Sequence, residues 1–171
     1  MEIIIRAEKP SERGSCDAIL REAYGGDAEA NLATALRSTA EFNQNLSLVA
    51  DNNSELLGYA LYARVTVSGT AIMPAATLAV MGVRKEHQRI GVGERLVRHG
   101  LERCRGLKID LVFAVGLPAY FARIGFQPAM PLGLKPDWAV PEDQFMVFDL
   151  SGSKLGKFSG IVSYPGPYHG R

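Results

Sequence analysis

Residues 71 to 104 constrain this chain more than any other stretch. They run from an apolar segment through a short charged loop with two glycines into an amphipathic helix. The segment AIMPAATLAVMGV, residues 71 to 83, is apolar almost throughout and interrupted by Pro74. It predicts a central strand over Thr77–Val83, buried on both faces. Beyond the loop, Val92, Leu96, Val97, Gly100, Leu101 and Cys104 repeat at helical spacing as one apolar stripe. Glu94, Arg95, Arg98, His99, Glu102 and Arg103 fill the opposite, solvated face. Ile109–Val115 then reads as a second strand. Strand, helix and strand in that order imply a parallel pair inside a mixed α/β sheet, because parallel neighbours need a crossover.

The rest of the chain supplies strands and helices around that unit. Ile3-Ile4-Ile5 predicts a first strand, and Pro10-Ser11-Glu12 a helix start followed by Cys16, Ile19, Leu20 and Ala23. Gly25-Gly26-Asp27 closes that helix, and a second carries Leu32 and Leu36. Strands are expected at Leu46–Ala50, Leu56–Val67 and Phe145–Leu150, with a polar turn at Asp51-Asn52-Asn53-Ser54. Pro118 opens a short helix that Gly125 closes. No linker or internal repeat divides the chain, so residues 1–150 are expected to form one domain. A Gly/Ser/Pro-rich extension, 151–171, packs on it, with Val162 and Tyr164 pairing briefly.

At 171 residues, 47% hydrophobic and 22% charged, the chain has the composition of a soluble globular domain. A formal net charge of +1 gives no global field to hold nucleic acid or an anionic membrane, so any anion site is local. Cys16 and Cys104 fall on apolar helix faces and read as packing residues without a metal or redox spacing. The N-terminal MEIIIR lacks the pattern of a signal peptide, and a cytoplasmic location is expected.

The two glycines of HQRIGVGERL (His87–Leu96) stand where a helix begins, a poor position for them on propensity alone. A helix N-terminus offers unpaired N–H groups and the positive end of the macrodipole, which suit an anion if side chains leave room. Arg84, Lys85, His87 and Arg89 add local positive charge. A lone G-x-G is equally an ordinary tight turn. The dinucleotide fingerprint fails because position 96 is Leu, and the P-loop fails for want of Gly-Lys-Ser/Thr.

The spacing Val83-x-x-x-x-Gln88-Arg89-x-Gly91-x-Gly93 resembles the acetyl-coenzyme A loop of the GCN5-related N-acetyltransferases (GNAT), with Lys85 where proline is usual. GLPAYFARIGFQPA (Gly116–Ala129), LSLVA (Leu46–Ala50) and GKFSGIVSY (Gly156–Tyr164) extend the resemblance over nearly the whole chain, within the YhbS-like branch. The resemblance implies a single-domain GNAT fold whose two parallel central strands splay apart, with helices on the sheet. It implies acetyl-CoA as cosubstrate, its pantetheine arm against main-chain groups of Met81 and Val83, with Gly82 a bulge position. Its diphosphate then rests on the amides of Arg89, Ile90, Gly91, Val92, Gly93 and Glu94, after Gln88. The implied reaction is acetyl transfer to a primary amine by direct attack on the thioester.

Attack by an amine of pKa about 10 needs a proton acceptor, and the departing thiolate can use an acid. The family often places a tyrosine four residues before the Gly-Phe glycine, but position 121 here is Phe. The neighbouring Tyr120 is therefore the candidate acid, pointing about 100° away on a helix. Thr77–Val83 holds no carboxylate; the resemblance implies that the loop before the second strand borders the acceptor, which makes Glu41 the candidate base. His87 and His99 are weaker candidates on polar surfaces. Trp138 and the Pro-rich 128–141 loop border the acceptor or merely cover the sheet. The missing tyrosine and base also motivate a competing reading, a non-catalytic acyl-CoA-binding or regulatory module. The partner expected is a small-molecule or peptide amine acceptor, with no nucleic acid, membrane or metal; a homodimer is left open.

Overall fold

The computed structural model describes residues 2–170. Met1 and Arg171, the outer ends of the expected 1–150 and 151–171 segments, lie outside the described residues. The elements are β1 (Ile4–Ala7), α1 (Arg13–Tyr24), α2 (Ala28–Arg37), β2 (Ser47–Asp51), β3 (Leu56–Gly69), β4 (Ile72–Val83) and α3 (Val92–Gly106). They continue as β5 (Leu111–Val115), α4 (Pro118–Ile124), β6 (Gln127–Pro128), β7 (Leu134–Pro136), β8 (Phe145–Asp149) and β9 (Gly160–Ser163). The strand order is β1-β2-β3-β4-β5-β8-β6, with β9 pairing β3 and β7. The sheet is mixed as expected: β4 and β5 are parallel, and β1, β2 and β3 antiparallel.

The chain divides into two compact units, Met1–Ala63 with Ala79–Arg103, and Arg64–Leu78 with Cys104–Arg171. In the first unit, alternation along β3 sends neighbouring residues to opposite faces. Tyr59 goes to one face, where the Arg37 guanidinium of α2 lies 5.3 Å from its ring centroid. Gly58 and Tyr62 go to the other, where a Cβ on Gly58 would meet Leu96 and Val92 of α3. The Tyr62 hydroxyl donates to the Val97 carbonyl at 2.8 Å, and Gly100 sits directly against the Tyr62 ring. The expected stripe of α3 is buried in full. Cys16 and Cys104 are buried and unpaired, and burial raises both thiols, Cys104 to about 12.

The first unit also holds an ion-pair network at the β1 edge. Arg6 donates to both carboxylate oxygens of Glu12, at 2.9 and 2.7 Å, and to Asp51. In the second unit β5 pairs β8, and Phe113 stacks on Phe145 with centroids 5.2 Å apart. Trp138, Tyr164 and Tyr168 cluster where the tail returns, which accounts for the brief pairing expected near Val162.

Two expectations need correction. β4 begins at Ile72, five residues before the predicted Thr77, and takes Pro74 into the strand. The proline precedes the β5 ladder, which opens at Ala75, so its missing N–H removes no rung from that ladder. Thr77–Val83 is also not buried throughout: Leu78, Ala79, Met81 and Val83 are only partly covered, because no β5 rung accompanies them. The short strand β7 lies within the 128–141 stretch expected to be loop.

Two outcomes follow for stability. Gly100→Ala drives a methyl into the Tyr62 ring between packed elements, and a loss of about 1–3 kcal/mol is expected in urea unfolding. Hydrogen bonding to Arg6, then to the Lys9 amide, holds the Glu12 carboxyl down at about 2 against an ordinary 4.5. A depressed carboxyl contributes stability above its ordinary value and loses it as the folded form protonates. Melting temperature is expected to fall from pH 4.5 towards pH 2, and Glu12→Gln to flatten that fall.

Candidate functional site

The parallel ladder between β4 and β5 has three rungs, Ala75↔Leu111, Ala76↔Val112 and Thr77↔Phe113, and ends there. Buried Thr77 fastens the last rung: its hydroxyl donates to the Phe113 carbonyl at 3.3 Å and lies 3.2 Å from the Tyr164 hydroxyl. β4 continues to Val83 without β5. The Arg84 N–H donates to the Leu57 carbonyl on the β3 side. Alternation therefore turns the peptide groups of Gly82 and Arg84 towards β3 and those of Met81 and Val83 to the opposite edge.

That edge is answered by side chains. Gln88 Nε2 donates to the Val83 carbonyl at 2.9 Å, and the Tyr24 hydroxyl to the Met81 carbonyl at 2.7 Å. Gly82, expected as a bulge position, has a packing reason for its identity: a Cβ there would lie 3.1 Å from Ala23 Cβ and 3.3 Å from Leu20 Cδ2 of α1.

The loop then turns sharply. A 3-10 turn, Lys85–His87, is followed by Arg89 at φ +64° and Gly91 at φ +91°. Helix α3 starts at Val92, so the first-turn amides have no intrahelical acceptor. Among the described residues, the N–H groups of Arg89, Ile90, Gly91, Val92 and Gly93 donate to no protein acceptor, whereas the Arg95 N–H already closes the first turn on Gly91. Arg89, Ile90 and Gly91 are exposed. A Cβ on Gly91 would meet nothing within 4 Å, so its glycine answers to backbone angle and an open approach. Unsatisfied, accessible amides at a helix dipole's positive end suit an anion. Glu55, Glu86 and His87 offer three ligand atoms within 4.8 Å of one another, but both carboxylates are exposed, and His87 Nε2 lies 3.5 Å from Glu55 and 4.0 Å from Glu86.

A strand with one open edge, feeding a loop of free amides, can be set against known proteins. The Acetyltransferase (GNAT) domain family matches residues 5–129. The N-acetyltransferase YhbS of Escherichia coli strain K12 is 31% identical over 163 residues, 95% of this chain and 96% of that one. The chain belongs to the GNAT acetyltransferase family. YjhQ of the same organism is 34% identical over 71% of this chain and 68% of its own. The crystal structure of E. coli YhbS in complex with CoA has a TM-score of 0.90 at 29% identity, covering 99% of this chain and 93% of that one. A Brucella melitensis GNAT acetyltransferase, solved with acetyl-CoA, shares the fold at 23% identity and a TM-score of 0.78.

The remaining predicted residues of this GNAT acetyltransferase lie on other elements or further along α3. Phe121 is a core residue, 6% exposed, packed edge-on against Phe126 and against Gly116. Tyr120, half-buried on the next face of α4, lies edge-on to Phe121 with the Arg123 guanidinium 5.6 Å from its ring centroid. Glu41 is exposed in the turn after α2. Burial lowers the His99 pKa, and Arg103 and Arg95 lower it further against an opposing pull from Glu102. Tyr24 was missed: periodicity marks an exposed residue at a helix end, and only the fold shows that it reaches β4.

Gly91→Ala is expected to cost about 1 kcal/mol in chemical denaturation, because a Cβ strains the backbone at φ +91° without any clash.

Proposed function

We propose that this chain is an acetyl-CoA-dependent N-acetyltransferase acting on a primary amine, with the donor laid along β4 and its diphosphate on the loop that opens α3. The reading is carried by the free main-chain amides of Arg89 to Gly93, next to the open Met81 and Val83 edge. The amides of Arg89, Ile90, Gly91, Val92, Gly93 and Glu94 supply the diphosphate donors, and Gln88 ties their loop to β4. Main-chain groups of Met81 and Val83 align the arm, and Gly82 lets α1 close on the other face. The neutral amine nitrogen attacks the thioester carbonyl carbon, and the oxyanion formed is stabilised by a β4 amide. The C–S bond then breaks, the nitrogen gives up a proton, and the thiolate takes one. A thiol of pKa about 8.5 is a fair leaving group, so an acid at position 121 is dispensable.

Tyr120 is the candidate acid and Glu41 the candidate base, each tested by a pH–rate profile of its Phe or Gln variant. The compartment proposed is the cytoplasm; among the described residues no helix is long and apolar enough to cross a membrane. A second reading, a non-catalytic acyl-CoA-binding module, draws on one observation: the tyrosine position is a buried phenylalanine.

Calorimetry with acetyl-CoA and a thiol-release screen over amine classes separate these readings. Saturable binding with thiol release on an amine is expected. Binding without release across the panel favours the module, and no binding at millimolar ligand removes both. Gly91→Glu is expected to abolish binding while circular dichroism shows the fold retained.

A further inference from the structure

Two side chains answer the open edge of β4, and only one is explained by local chain geometry. Gln88 follows Val83 by five residues, and its bond to the Val83 carbonyl closes the loop on the strand that feeds it. Tyr24 comes from the last turn of α1, 57 residues away in sequence, and places its hydroxyl 2.7 Å from the Met81 carbonyl. The tyrosine is 51% exposed, so it adds little to the core. Packing of α1 on β4 is carried by its neighbours: Leu20 and Ala23 flank Gly82, and Cys16, Ile19 and Leu20 are buried. Gly25, at φ +73°, stops the helix immediately afterwards, its N–H donating to the Arg21 carbonyl. The helix thus ends at the residue that reaches over the strand edge.

We propose that Tyr24 is a donor-binding residue of this enzyme, its hydroxyl aligning the Met81 peptide group and its ring flanking the pantetheine arm on the open edge of β4. This rests on the acetyl-CoA reading above and assigns a binding role to a side chain on a surface made largely of main chain. A carbonyl oxygen has two lone pairs, so Met81 can accept from the phenol and from an amide N–H of the arm together. A strand peptide without a ladder partner is free to tilt, and the hydroxyl supplies the restraint that a neighbouring strand would have given. Holding the group in one orientation before binding lowers the ordering cost of the complex.

The test compares ligands that carry the arm with one that does not. Acetyl-CoA, CoA and adenosine 3′,5′-bisphosphate are titrated by calorimetry into the wild type, Tyr24→Phe and Tyr24→Ala. Tyr24→Phe is expected to weaken acetyl-CoA and CoA by roughly three- to ten-fold, the worth of one hydrogen bond, and Tyr24→Ala by more. Adenosine 3′,5′-bisphosphate is expected to bind all three proteins equally, and their melting temperatures to agree closely. In turnover, the effect falls on KM for acetyl-CoA more than on kcat. Unchanged CoA affinity in both variants overturns the proposal. So does equal weakening of all three ligands, which reports damage to the loop or the fold. A wild type that binds neither CoA nor acetyl-CoA overturns the acetyl-CoA reading, and this assignment with it. A wild type that binds CoA while both variants match it removes Tyr24 alone.

Discussion

The end of the β4–β5 ladder at Thr77 is the constraint on which the candidate site depends. Main-chain N–H and C=O groups are costly to leave without partners, and a strand that outruns its neighbour exposes a row of them. Here β4 runs six residues past its last rung, to Val83. Met81 and Val83 turn their peptide groups to the edge opposite β3. The fold meets their carbonyls from a helix end and from a loop, with Tyr24 and Gln88. An edge held by side chains in this way remains open to a ligand that can hydrogen bond as a strand does.

Glycines mark the places where this arrangement leaves least room. Gly58 and Gly82 let α3 and α1 approach β3 and β4 closely, and Gly100 lets α3 lie against the Tyr62 ring. Gly91 is different in kind, because nothing crowds it and its requirement is a positive φ. The first three are packing glycines: at Gly100 a methyl group would overlap the Tyr62 ring, and at Gly58 and Gly82 the neighbouring side chains would have to give way. The last shapes a loop whose amides point outwards. The same residue type thus serves two physical ends within one unit of the chain.

Much of this was legible beforehand. The stripe of α3, the helices around Cys16 and Leu32, and the strand–helix–strand crossover follow from periodicity, which is strong wherever one face is buried. The glycine loop before α3 was legible because main-chain chemistry leaves a sequence trace: only glycine is cheap where φ is positive and approach must be open. The candidate catalytic groups left no such trace. Phe121 and Tyr120 are adjacent in sequence, yet one is core and the other half-exposed beside Arg123. The start of β4 was misjudged because Pro74 ordinarily breaks a ladder, and nothing local shows that the β5 rungs begin one residue later. The burial of Thr77–Val83 was overestimated for a related reason, since an apolar run does not record where its neighbouring strand stops.

By itself the sequence determined the periodic elements, the parallel crossover and the glycine loop, because each is set by residues within a few positions of one another. Only the tertiary structure decided where β5 stops accompanying β4, and which side chain from a distant helix meets the edge left behind. Ladder length depends on the register of two strands whose last partners, Thr77 and Phe113, are 36 residues apart, and the reach of Tyr24 on a contact across 57. Neither separation leaves a local pattern, because both arise from how α1 and the strands pack once they are formed.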